Sequence, residues 1–103
     1  MEIVSIRPGY FEEIPLRNDA DTLVIEVASD RIIDCGIMDD ESYRAFADAD
    51  SDKGIRKEKW IPEIKKTRFS FHPKRGTQSW LILSNVYANK DASVAYDIRA
   101  AAS

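Results

Sequence analysis

The chain has 103 residues and a formal net charge of −3, with 44% hydrophobic and 32% charged residues. That is the length of one domain, residues 1–103, able to bury about 65% of its unfolded surface without staples. Composition excludes a disordered tail, a collagen-like chain and a disulfide scaffold, and the charge excludes a strongly basic nucleic-acid binder of the histone kind while leaving room for a local basic patch.

The N-terminal stretch carries Glu2 and, further on, Glu12 and Glu13 where a signal peptide needs a basic start and an apolar run. No apolar stretch approaches the roughly 18 residues of a membrane span. A cytoplasmic location follows if Met1 is the natural start, and export if a leader precedes it. The single Cys35 cannot form an intramolecular disulfide, so the fold does not depend on an oxidising compartment.

Periodicity along the chain is mostly two. After turn chemistry at Pro8-Gly9 and at 18–21, Leu23, Ile25 and Val27 share one face of a strand. Ser29-Asp30 reads as a turn, and Ile33, Cys35 and Ile37 then alternate with Asp34 and Gly36. From Asp39 to Asp50 the pattern changes. Tyr43, Phe46 and Ala47 sit at helical spacing behind an acidic first turn, which predicts a short helical insertion over 41–49 whose aromatics lid the core. Residues 55–64 contain Pro62 and read as an edge strand followed by a kink.

Phe69 and Phe71 restart the alternation, and residues 73–77 supply another turn. Trp80 to Leu83 is apolar on both faces, as a central strand requires. Asn85 ends that strand and is placed to cap backbone groups at the following turn. Val94, Tyr96 and Ile98 form the last alternating run. Turns every 8 to 12 residues or so predict an all-β antiparallel sandwich, jelly-roll-like, of seven or eight strands. The expected core is Leu23, Ile25, Val27, Ile33, Cys35, Ile37, Phe69, Phe71, Leu81, Leu83, Val94, Tyr96 and Ile98, with Trp80 and Ile82 joining it if the parity of their strand is reversed.

The run Asp34 to Asp39, followed by Tyr43 and Phe46, then Trp80-Leu-Ile-Leu-Ser-Asn85 and the alternating strand 93–99, resembles small β-sandwich modules of the bacterial pre-peptidase C-terminal type and the related GOLD-like domains. The likeness spans about residues 10 to 99. It implies a non-catalytic accessory module that binds protein or carbohydrate, and it supplies no catalytic residues to transfer. Two features depart from that pattern. Such modules sit appended to larger exported proteins, and the segment 53–66 is more basic than the pattern expects.

Three constellations bear on chemistry. Asp48, Asp50 and Asp52 alternate as in a calcium loop and could converge on one hard cation. The glycine comes one place late, at Gly54, and Lys59 stands where a bidentate glutamate belongs, so a solvated acidic connection after a short helix is the simpler account of the segment. Cys35 and His72 could pair only if their strands were neighbours, and one Cys with one His cannot make a four-ligand zinc site. Paired carboxylates for hydrolysis cannot be chosen among 18 acidic residues, so no enzyme activity is expected.

The charge is laid out in blocks. Residues 1–52 balance at −10 (14 acidic, 4 basic), residues 53–75 at +7 (9 basic, 2 acidic) and the remainder at zero. Arg56, Lys57, Lys59, Lys65 and Lys66 surround Trp60, an aromatic expected to be partly exposed on an edge. This set would suit an acidic partner or a polyanion, though nucleic acid is not favoured. The plainer alternative sets the basic strand against acidic ones in the same sheet. An unpaired edge strand also offers a route to a homo-oligomer.

Overall fold

The structure is a computed structural model that describes residues 1–39, 57–87 and 89–101, with the backbone alone at 57–59. Six antiparallel strands stand among the described residues: β1 (Glu2–Ile6), β2 (Phe11–Leu16), β3 (Leu23–Asp39), β4 (Lys57–Phe71), β5 (Ser79–Ser84) and β6 (Ala92–Ala100). They form one sheet in the order β1-β6-β3-β5-β2, with β4 along the other side of β3. The all-β antiparallel expectation therefore holds. The strand count differs from the expected seven or eight, because two predicted pairs of strands are each one long strand, β3 and β4. The helical insertion expected over 41–49 lies outside the described residues.

The 17-residue β3 organises the sheet. Its first part, Leu23 to Ser29, pairs with β6, whereas Asp34 to Asp39 pair with β5. β4 follows β3 along nearly its whole length, from Leu23 opposite Phe71 to Met38 opposite Lys57. One strand thus carries two sets of neighbours, and the sheet curls between them. Side chains of one face from both parts, Leu23, Ile25 and Val27 with Ile33, Cys35 and Ile37, meet in a single core with Phe69, Phe71, Leu81, Leu83 and Val94. Each fully buried aliphatic side chain contributes about 1.5–3 kcal/mol. Every residue of the expected core is in this cluster or, for Tyr96 and Ile98, packed against it.

The expected core omits Ile6, Leu16 and Ala92, which come from short edge segments and from the start of β6. β5, between β3 and β2, is buried on both faces, which matches its apolar run Leu81-Ile-Leu83. Ile82 on its outer face is fully buried, as is Met38 of the neighbouring strand, whose register partner on β5 is Trp80. Pro15 and Pro62, which cannot donate to a ladder, fall on β2 and β4, each of which has a single partner strand among the described residues.

Three irregularities interrupt the β3–β4 ladder, one of them near its end, between the pairs Ile37–Lys59 and Met38–Lys57. Between the pairs Ala28–Lys66 and Ile33–Ile64, four residues of β3 oppose Lys65 alone. Between Ile33–Ile64 and Cys35–Ile61, Pro62 and Glu63 of β4 oppose Asp34. Glu63 takes a left-handed conformation there (φ 54°). Its N–H donates to Asp34 Oδ1 at 3.0 Å, so a side chain replaces the missing ladder partner. The expected kink thus falls at Pro62 and Glu63, within the segment 55–64, and β4 continues beyond it to Phe71.

Candidate functional site

The place where β3 exchanges β6 for β5 leaves residues 30–33 over a gap between those two strands, and the β5–β6 connection spans it. Three hydrogen bonds fasten the connection to the bend. The Ser93 N–H donates to Asp30 Oδ1 (2.8 Å), Arg31 Nε donates to the Asp91 carbonyl (3.1 Å) and the Tyr87 hydroxyl donates to Asp34 Oδ1 (2.6 Å). The Arg31 N–H donates to Ser29 Oγ at 3.2 Å, so Ser29 and Asp30 shape a bend instead of ending the strand.

Deeper in, Asn85 anchors the connection. Its amide is fully buried and donates to the Ile6 carbonyl (2.8 Å) and the Lys90 carbonyl (2.9 Å). Its backbone N–H donates to Tyr10 O (3.0 Å), and its own carbonyl accepts from the Gly9 N–H (2.7 Å). Gly9, at φ 80°, makes the turn that brings the β1–β2 loop there. The capping role expected of Asn85 is what the geometry records. It reaches further than one turn, tying the β1–β2 loop to the β5–β6 loop.

The bend forms a shallow depression of about 260 Å³ lined by Asp30, Arg31, Ile32, Lys65 and Tyr87. Ile32 is 43% exposed and Tyr87 48%, large apolar surfaces that nothing in the core requires to be outside. The Tyr87 phenol is pushed up to about 12, first by its hydrogen bond to Asp34, then by lost hydration and the negative charges of Asp34 and Glu63. Burial raises the Tyr96 phenol as well, assisted by the nearby Glu2 and Glu12.

Of the residues expected to bind a partner, Lys65 lies in this depression and Lys66 does not. Lys66 faces a second groove with Met1, Glu26, Ala28 and Arg68. Both lysines are exposed. Trp60 stands opposite Gly36 and is half-buried, in line with partial exposure. Lys57 and Lys59 occupy β4 opposite Met38 and Ile37. Arg56 and the candidate calcium ligands Asp48, Asp50 and Asp52 lie outside the described residues. Among the described residues, no three His, Cys, Asp or Glu side chains gather as a metal site would require.

The basic block meets acidic partners only in part. Glu26 of β3 takes Arg99 of β6 at 2.9 Å and Arg68 of β4 at 3.4 Å, and Arg99 also reaches Asp97 at 2.9 Å. These are the cross-strand pairs of the plainer alternative. Among the described residues, Lys65 and Lys66 make no such pair.

Cys35 lies on β3 and His72 just past the end of the neighbouring β4, and the register keeps them apart. Cys35 is buried opposite Leu83 and Ile61, while His72 follows the Phe71–Leu23 pair at the far end and holds Thr22 Oγ1 at 3.0 Å. They form no nucleophilic pair.

Sequence reasoning missed Asp30, Arg31, Ile32 and Tyr87. A signal was present for the first three. Leu23, Ile25, Val27, Ile33, Cys35 and Ile37 keep one parity throughout, as a bent continuous strand would. Tyr87 had none beyond its place after Asn85. No known family model matches the chain, and no curated protein matches it. Among the described residues no helix is long and apolar enough to cross a membrane.

Proposed function

We infer that the protein is a non-enzymatic binding or accessory module that docks a protein or carbohydrate partner at the β3 bend. The observation that carries this reading is an exposed Tyr87 and Ile32 at a depression whose bend is fixed by hydrogen bonds accepted by Asp30 and Asp34 and donated by Arg31. A surface ordered before its partner arrives loses little entropy on binding. The likeness to pre-peptidase C-terminal and GOLD-like modules supports the same role, as does the curled antiparallel sheet. On this reading the whole is a jelly-roll-like sandwich whose short helical insertion falls at 41–49.

A panel of immobilised peptides and glycans, probed with the wild type and with Ile32→Glu/Tyr87→Ala, tests the site. Specific capture by the wild type that the double variant loses is the expected result. Capture untouched by that variant and abolished by Lys66→Ala/Arg68→Ala overturns it.

That second outcome belongs to an alternative favoured by the exposed Lys65 and Lys66, which make no ion pair among the described residues: an anionic partner bound along the basic segment 53–75. Retention on a heparin column that falls steeply with salt is its signature.

A further inference from the structure

Resting on the bend as the docking site, we propose that its ligand is a saccharide ring, stacked on Tyr87 and hydrogen-bonded by Asp30, Arg31 and Lys65. The Tyr87 hydroxyl is committed to Asp34 at 2.6 Å, which fixes the orientation of a ring that remains 48% exposed. Ile32 extends the apolar floor beside it. Around that floor stand both kinds of polar group. Arg31 uses Nε for the Asp91 carbonyl, which leaves its two terminal nitrogens as donors. Lys65 brings an ammonium without an ion pair among the described residues. Asp30 uses Oδ1 for the Ser93 N–H and keeps Oδ2 as an acceptor.

Other ligand classes fit this set less well. A free phosphate or sulfate would meet the carboxylates of Asp30 and Asp34, and Glu63 adds further negative charge close to Tyr87. An aliphatic peptide side chain would cover Arg31, Lys65 and Asp30 without satisfying them, at the cost of burying unpaired polar groups. A pyranose presents an apolar C–H face to an aromatic ring and hydroxyls that both donate and accept around its rim. The 260 Å³ depression has room for a single such ring, not for a long chain.

The test is an amide-resolved NMR titration of the full chain with methyl glucoside and, separately, methyl glucuronide. Saturable shifts at residues 30–32, 65 and 87, with a Kd of about 1–10 mM, are expected from one or both sugars. Tyr87→Ala should weaken binding at least about tenfold. Lys65→Ser, at an exposed position that leaves the fold alone, should weaken it severalfold, and it serves if Tyr87→Ala does not fold. Absence of shifts with both sugars to about 50 mM overturns the saccharide and leaves the bend as a docking site for another partner. Saturable shifts confined to the groove of Glu26, Arg68 and Arg99 overturn both.

Discussion

At the scale of single residues, Asn85 and Asp34 do work that their positions in the sequence only hint at. Asn85→Ala removes two hydrogen bonds from a fully buried amide and strands the carbonyls it served. A loss of about 2–3 kcal/mol is expected, read as a lower urea midpoint at unchanged slope. Asp34 accepts from both the Glu63 N–H and the Tyr87 hydroxyl, and the second bond governs an ionisation. Because the folded Tyr87 phenol is raised to about 12, above its unfolded value, the stability it brings is complete below about pH 10 and is lost as pH climbs through 12. Ultraviolet titration should find one tyrosine ionising near 12 that Tyr87→Phe removes. Asp34→Ala should return that tyrosine toward 10. The sequence identified Asn85 as a cap because it closes an apolar strand. It could not reveal Asp34 as an acceptor, because the donors lie 29 and 53 residues away.

At the scale of elements, the bends decide what the strands can do. Glu63 lies in the left-handed region, which costs a side chain with a Cβ about 1 kcal/mol relative to glycine. Its structural contribution, a backbone N–H to Asp34, survives substitution. Glu63→Gly should therefore stabilise by about 0.5 kcal/mol, after the added freedom of the unfolded chain is subtracted. Chemical denaturation checks the sign; a destabilised variant would mean that the carboxylate matters more than the backbone. The edge character of the described residues 57–64 was legible from Pro62, as was the kink at Pro62 and Glu63. The continuity of β3 was missed, because Ser29-Asp30 is turn chemistry by composition. Here those two side chains bind the Arg31 and Ser93 N–H groups at a bend in mid-strand. Local polarity marks where a chain turns sharply or bends gently without saying which. The parity of the flanking apolar residues separates the two cases.

For the whole molecule, the partition of charge takes spatial form. The described parts of the acidic block 1–52 and the basic block 53–75 meet where β3 and β4 pair, and Glu26 with Arg68 is their visible contact, shared with Arg99 of β6. Both arginines are more than half exposed, so each pair contributes less than about 1 kcal/mol. Raising sodium chloride to about 1 M should leave the unfolding free energy within about 1 kcal/mol of its low-salt value. A larger fall would show that the blocks hold the fold together. The core was legible in full outline from alternation, since a buried face repeats every second residue whichever strands it meets. The candidate site was legible only at Lys65. The gap it occupies arises from a change of neighbours along one strand, a property of pairing that no local pattern encodes.

That change of neighbours also sets how the protein comes apart. Because β3 supplies backbone partners to β4, β5 and β6 at once, neither end of the sheet can open as a unit without tearing the same strand. The amides of Ile25, Val27, Cys35 and Ile37 should exchange with deuterium at one common, slowest rate, through global unfolding alone. The amides of β1 and β2, each bound to a single neighbour among the described strands, should exchange faster by local fraying. A ligand seated at the bend touches the middle of that shared strand, so its binding energy should appear undiminished in the protection of amides at both ends.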